Sequence, residues 1–358
     1  MIESIWSYYM KRLRMRWWKE SILKYFPVLK TRRKLSRAQK KEVQDYYVEM
    51  TGRKVPLYCH EYFYSRNGVF TKDYVPENFY MCELVPRANL HSFQGAYGDK
   101  NLCDLLFPGE NVVRSILKNI NGYFFFDGRP VTEEEAVSLC GNLNRVIIKP
   151  SRKSEGRGVQ AFSSTNGVTD LDGKSVADLL REYGKDFLVQ DCVKQHETLA
   201  ALNPTSVNSM RILSYHSGME VLIIYSVMRI GRNGAVVDNQ SAGGICTAIS
   251  NDGKLGKIAF GGYSEDNILK TDTGIVLEGY PVPSYDKAIG MVKRLHQRLP
   301  YFNLVGWDIA IQEDGEPVLI EFNTNPGLSQ SAFKSGMGEY TERIIRELWP
   351  RPNTWFPK

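Results

Sequence analysis

Apolar and polar positions alternate most clearly near the C-terminus. Leu304–Ile311 and Pro317–Phe322 each predict a strand, with Glu313-Asp314-Gly315-Glu316 between them. An Asp-Gly pair flanked by such runs predicts a hairpin with a type I′ turn, because both central residues of that turn need positive φ. With Asp314 and Gly315 as the turn residues, cross-strand partners have numbers that sum to 629, which sets Asp308 opposite Glu321. Their Cβ atoms would lie roughly 5 Å apart. Asn323 returns to the same face two residues later. Like charges placed directly opposite cost stability, so a retained pair predicts a cation between them. Two carboxylates and an amide oxygen suit Mg²⁺ that also holds phosphate oxygens. The competing reading is an edge hairpin with both acids on a wet face.

The same patterning predicts strands at Gly122–Phe126, Arg145–Pro150, Phe187–Val193, Thr205–Tyr215 and Glu220–Ile230. It predicts helices at about 37–51, at Val131–Cys140 and at Ser284–Leu299, the last with Ala288, Met291, Val292 and Leu295 on one face, and at Glu339–Leu348. Thr132 and Glu135 fit a capping box. The last ten residues read as a tail. Residues 42–95 are aromatic-rich and carry no glycine-rich βαβ unit. At the N-terminus Ile5, Tyr8, Tyr9, Leu13, Trp17, Ile22 and Phe26 recur at three- and four-residue steps among Lys and Arg. This basic amphipathic helix suits either an anionic membrane interface or a dock on the protein itself.

Charge changes the picture at that end only. Residues 1–41 hold 13 Lys or Arg and two acids, a net +11. The whole chain of 358 residues carries +6, so the remainder carries −5. No recognition motif accompanies the basic head, which argues against a nucleic-acid partner. Six cysteines form no C-x-x-C pair or zinc spacing and read as reduced thiols of a cytoplasmic protein. Neither a spanning apolar run nor a signal-peptide core is evident. His60, His91 and His296 are isolated and read as structural.

Several polar loops interrupt the strands. Gly98-Asp99-Lys100 precedes a short helix. Lys149 ends the 145–150 strand and is followed by Ser151-Arg152-Lys153-Ser154-Glu155-Gly156-Arg157-Gly158. Small residues there let backbone N–H groups approach a phosphate, though neither a Walker A loop nor a GxGxxG fingerprint is present. Asn208 and Arg211 are three apart, and Gly243-Gly244 follows a polar run beginning at Asp238.

The acid-bearing hairpin closed by Glu321-Phe322-Asn323-Thr324-Asn325-Pro326-Gly327 resembles the metal-binding end of ATP-grasp enzymes, and the D-alanine–D-alanine ligases have a similar closing motif. The chain is most similar to the sugar-transfer-associated ATP-grasp proteins, from about Gly98 to Gly327. The resemblance implies an α+β ATP-grasp fold, with a basic helical extension (1–41), a connecting domain (42–97) and an ATP-grasp domain (98–348) whose lid spans about 142–200. It implies that ATP is held by Lys100, Lys149, Ser154, Gly156, Gly158, Gln190, Asp191, Val193, Glu197 and Asn208. Gln190 would meet the adenine amino group, where many members have Glu, and Glu197 would hold the ribose. Mg²⁺ falls to Asp308, Glu321 and Asn323. Catalysis falls to Arg211 and Lys149, with Gly243 and Gly244 as oxyanion donors. The implied activity is an ATP-dependent carboxylate–amine ligation through an acyl phosphate, on a sugar acid or amino acid of a cell-surface polysaccharide. The alternatives are a kinase acting on a glycan hydroxyl and a scaffold without turnover. Membrane contact would run through residues 1–34.

Overall fold

The computed structural model describes residues 2–153, 156–262 and 267–355, with side chains from Trp6 onward. Two antiparallel sheets dominate. The first contains β1 (Ser115–Ile120), β2 (Tyr123–Phe126), β3 (Arg129–Val131), β4 (Leu143–Pro150), β5 (Gln160–Thr165), β6 (Val168–Thr169) and β7 (Phe187–Asp191), in the order β3-β2-β1-β7-β4-β5-β6. The second contains β8 (Met210–His216), β9 (Val221–Ile230), β10 (Ile245–Ile249), β11 (Leu255–Phe260), β12 (Leu304–Ile311) and β13 (Pro317–Asn323), in the order β11-β10-β9-β8-β12-β13. The first sheet therefore begins well before residue 142, because β1 inserts beside β7 with Leu117 opposite Val189. Its core packs against the helices Glu133–Leu139 and Val176–Tyr183. The Thr132–Glu135 capping box is present at the first of these.

The second sheet has an apolar layer on each face. On one, Val305, Trp307, Ile309 and Ile311 pack with Ala288, Met291, Val292 and Leu295 of the helix Tyr285–His296. On the other, Leu213, Tyr215 and Leu304 share a core with residues of the helices Arg37–Thr51 and Thr341–Leu348. The aromatic-rich segment after residue 42 is thus a helical layer on this sheet, including a π-helical turn at Tyr80–Leu84. The C-terminal segment expected as a tail is anchored through residue 355. Asn353 donates to Cys82 O (2.9 Å), and Thr354 Oγ1 donates to Pro86 O (2.7 Å). His60 and His296 are both buried, and burial lowers each imidazole to about 4. No disulfide forms among the cysteines, and five of the six are buried.

The hairpin differs from its expected form in an instructive way. Near the turn the register is Ile311 with Pro317 and Ala310 with Val318, one residue short of the predicted sum. Gln312 N donates to Glu316 O (2.9 Å), so Glu313, Asp314 and Gly315 form a three-residue loop. Gly315 sits in the left-handed region at φ 82°, as such loops require. A bulge then intervenes: Ile309 faces Leu319, but Asp308 faces Glu321, leaving Ile320 as the extra residue. The bulge restores the predicted Asp308–Glu321 pairing. It also turns both Leu319 and Phe322, three residues apart, into the same core. Replacing Gly315 with alanine is expected to cost roughly 1 kcal/mol through its positive φ. A thermal melt would check this, and an unchanged midpoint would count against the loop.

Candidate active site

Pairing across the second sheet builds a row of charges. Arg211 on β8 is directly opposite Asp308 on β12, which is directly opposite Glu321 on β13. The guanidinium of Arg211 binds Asp308 bidentately, Nε to Oδ1 at 2.5 Å and Nη2 to Oδ2 at 2.7 Å. Arg229, two residues along β9 from the partner of Arg211, adds Nη1 at 3.4 Å from Asp308 Oδ1. At the other end Lys100 Nζ lies 3.4 Å from Glu321 Oε2. The two acids are thus flanked by cations, and Asp308 is only 4% exposed. Burial alone would raise the Asp308 carboxyl; Arg211 and Arg229 hold it below its ordinary value. A bidentate pair of this kind fixes direction as well as charge.

Gly306 gives Arg211 its room. A Cβ at Gly306 would lie 3.0 Å from Pro326 Cβ and 3.3 Å from Arg211 Cδ. Gly306→Ala is therefore expected to push the guanidinium off Asp308 and, for the ATP-dependent activity that the sequence resemblance implies, to lower turnover by roughly tenfold to a hundredfold. Steady-state kinetics would check it, and wild-type turnover would show that this alignment is not needed.

A cavity of about 390 Å³ lies between the two sheets, within the usual range for small-molecule sites. Lys100, Lys149, Gly156, Gln190, Asp191, Val193, Asp308 and Glu321 line it, eight of the residues expected from the sequence. Lys149 is 8% exposed, and burial pushes its ammonium below the ordinary lysine value against the pull of Glu321. Among the described residues its ammonium makes no ion pair or hydrogen bond, while its backbone pairs with Leu188 in the sheet. Lys100 is tethered: Nζ donates to Lys153 O (2.8 Å), and its backbone N donates to Ser151 O (3.1 Å). Gln190 is buried, and its Nε2 donates to Val113 O and Ser115 Oγ, both at 3.3 Å. That leaves its carbonyl oxygen as the acceptor. Val113, Ile147, Val193 and Val207 add apolar wall to the cavity.

Other expected site residues lie elsewhere. Asn208 is fully buried; its Nδ2 donates to Leu199 O (2.8 Å) and Asn203 O (3.0 Å), and its Oδ1 accepts from Gly231 N (3.3 Å). Its amide is thus consumed in holding the β8 approach. The N–H groups of Gly243 and Gly244 donate to Gln240 O (3.2 Å) and Asn239 O (3.1 Å), so neither is a ready oxyanion donor. Glu197 is exposed at the start of the short helix Glu197–Ala200, outside the cavity lining, although Ala200 lines it. Gly158 also lies outside the lining, with Pro150 Cγ 3.0 Å from where its Cβ would stand. Ser154 lies outside the described residues.

Patterning alone did not single out Arg229, Arg145 or Asp238, and all three line the cavity. Arg229 is next to last in β9, a largely apolar strand, and that position was the available signal. Asp238 accepts from Ser209 N (2.8 Å) and Ser209 Oγ (2.5 Å), and burial pushes its carboxyl up to about 6.

The donors fit a hard divalent ion only in a shared shell. No cluster of three or more His, Cys, Asp or Glu suited to a metal occurs among the described residues. An ion on Asp308 and Glu321 would need amide, phosphate or water oxygens to complete it. Asn323, on the same face as Glu321, has a buried Nδ2 with no partner, so its amide is the unsatisfied polar group beside the acids. Both Asp308 oxygens already accept from Arg211, so metal binding would use their remaining lone pairs.

Two antiparallel sheets closing on a lysine-lined cavity, with paired acids on the second sheet, define an ATP-grasp protein. A family model agrees: residues 116–344 match the sugar-transfer associated ATP-grasp family, and the chain belongs to that family. No curated protein sequence matches. Solved structures similar to the chain include the ATP-grasp ligase PsnB complexed with minimal precursor (12% identity, 73% of this chain and 64% of that one, TM-score 0.43). Another is D-alanine–D-alanine ligase from Bacillus anthracis complexed with ATP (13%, 72% and 66%, TM-score 0.41). A third is L-amino acid ligase from Bacillus licheniformis (11%, 70% and 48%, TM-score 0.40). The chain spans less than two thirds of each of these relatives, and likeness at this level transfers no activity.

Proposed function

We propose that the protein uses ATP to join a carboxylate to an amine. The observation that carries the reading is the convergence of Lys100, Lys149 and Arg229 on the Asp308–Glu321 pair at one cavity. ATP would lie with its base near Gln190 and Val193 and its phosphates toward the lysines. Mg²⁺ held by Asp308, Glu321 and Asn323 would neutralise phosphate charge. A carboxylate oxygen of the substrate attacks the γ-phosphorus, the bond to the β,γ-bridging oxygen breaks, and ADP leaves. The amine nitrogen then attacks the acyl carbon, phosphate departs with the former carboxylate oxygen, and an amide forms. Arg211, Arg229 and Lys149 supply fixed positive charge where the transferring group gains negative charge. The nitrogen must also lose a proton. Asp238, a cavity carboxylate raised to about 6, suits that task.

The family's association with sugar transfer favours a sugar acid as acceptor, an amino acid as amine and a cytoplasmic role in surface polysaccharide synthesis. The test is ADP and phosphate release from the full chain with ATP, Mg²⁺ and panels of uronic acids and amino acids. Release that requires both acid and amine is the expected result. A phosphorylated glycan formed without amine would establish the kinase reading instead. Retained ATP binding with no ATP loss for any acid would leave a scaffold.

A further inference from the structure

The N-terminal helix Ile2–Leu23 has two distinct faces. One is docked on the body. Lys11 Nζ lies 2.6 Å from Glu83 Oε1, and the Arg14 guanidinium lies 4.0 Å over the Trp355 ring. Ile22 is buried with Tyr62 and Tyr74, and Trp18 packs against the core that the second sheet shares with the helices Arg37–Thr51 and Thr341–Leu348. The second face carries Trp6, Tyr9, Met10, Leu13 and Trp17, which are 63%, 54%, 39%, 43% and 59% exposed. At about 100° per residue these five fall within an arc of roughly 100°, turned away from the docked face. Tyr8, also exposed, lies outside that arc beneath Arg12. Contiguous exposed apolar surface of this kind marks an interaction site.

Charge selects the partner. Arg12, Arg16 and Lys19 are exposed along one side of the stripe, with Arg16 paired to Glu20. Lys24, Lys30, Arg32, Arg33 and Lys34 follow, all exposed. The head is strongly positive and the remainder mildly negative, so attraction to an anionic surface would be local to this end. Tryptophan and tyrosine rings suit the boundary between headgroups and acyl chains. A second copy is a poorer occupant, since a two-fold contact through the stripe would bring two basic heads together. No described helix is long and apolar enough to cross a membrane, so the contact would be peripheral.

We propose that this helix lies stripe-down on an anionic phospholipid bilayer, while its docked face holds the ATP-grasp body against that surface. The inference is independent of the nucleotide chemistry. It is tested by co-sedimentation of the full chain with vesicles of phosphatidylcholine alone or mixed with phosphatidylserine. Binding to the mixed vesicles should exceed binding to neutral ones by at least about tenfold and should fall with added salt. The variant Trp6→Ser/Leu13→Ser/Trp17→Ser should lose about tenfold or more in partitioning. Arg12→Gln/Arg16→Gln/Lys19→Gln should bring binding on mixed vesicles down toward that on neutral ones. Circular dichroism and thermal melts should match wild type, since every changed side chain is exposed. Equal binding to both lipids, or none, would overturn the proposal. So would a dimer that the stripe variant converts to monomer while lipid binding stays unchanged.

Discussion

Asp308→Asn is expected to reduce ATP turnover on the order of 10³-fold and to destabilise the protein by about 3 kcal/mol. Two causes act together. The carboxylate is a proposed ligand for the ion on the triphosphate, and it also neutralises two guanidiniums. Arg211 is buried, and burial opposes its charge, while Asp308 stabilises that charge. Removing the acid leaves Arg211 in the sheet without its counter-charge. The stability loss should therefore be recovered in large part by Arg211→Met in the same chain, while turnover stays lost. Chemical denaturation of the two single variants and the double variant would resolve this. If the double variant is as unstable as Asp308→Asn alone, the stability argument fails.

Lys149→Met is expected to separate function from stability in the opposite direction. The side chain is buried, with no ion pair of its own among the described residues. Its replacement should stabilise the fold by roughly 1 kcal/mol, because a desolvated charge is removed. ATP affinity should fall roughly tenfold to a hundredfold with the loss of one charge-assisted contact to phosphate. The pH dependence follows from the direction of the shift. Burial lowers the folded-state pKa of Lys149 below 10.5, so between the two values the unfolded chain binds more protons. Wild-type stability should gain from this group as pH rises across that alkaline window, whereas Lys149→Met should lack the contribution. Denaturation midpoints at matched pH would show it, and parallel profiles would contradict it.

The acidic pair was legible because strand periodicity and a glycine turn are local signals. Even so, the expected turn was one residue too short, and the bulge at Ile320 restored the pairing. A bulge follows from what each face must pack against, here Leu319 and Phe322 under Trp307, and that is not a local property. The same limit explains Arg229, which reaches Asp308 only through the β9–β8–β12 order. Gly243-Gly244 looked like available donors because their composition is that of an anion loop; the carbonyls of Gln240 and Asn239, at the start of the 3₁₀ turn Gln240–Ala242, take up their N–H groups. Asn208 read as a ligand for a similar reason, since a polar side chain before a strand can serve either a ligand or a buried chain crossing. The early start of the first sheet depends on β1 inserting beside β7, a pairing across about seventy residues that local patterning does not report.

A crystal structure of the full chain with a non-hydrolysable ATP analogue and Mg²⁺ would decide whether the cavity between the two sheets is the nucleotide site. The nucleotide base should sit at Gln190 and Val193, with its phosphate tail between Lys149 and the Asp308–Glu321 pair and the ion touching both acids. A nucleotide bound away from this cavity, or an ion that touches neither Glu321 nor Asp308, would rule out the ATP site proposed for this pair.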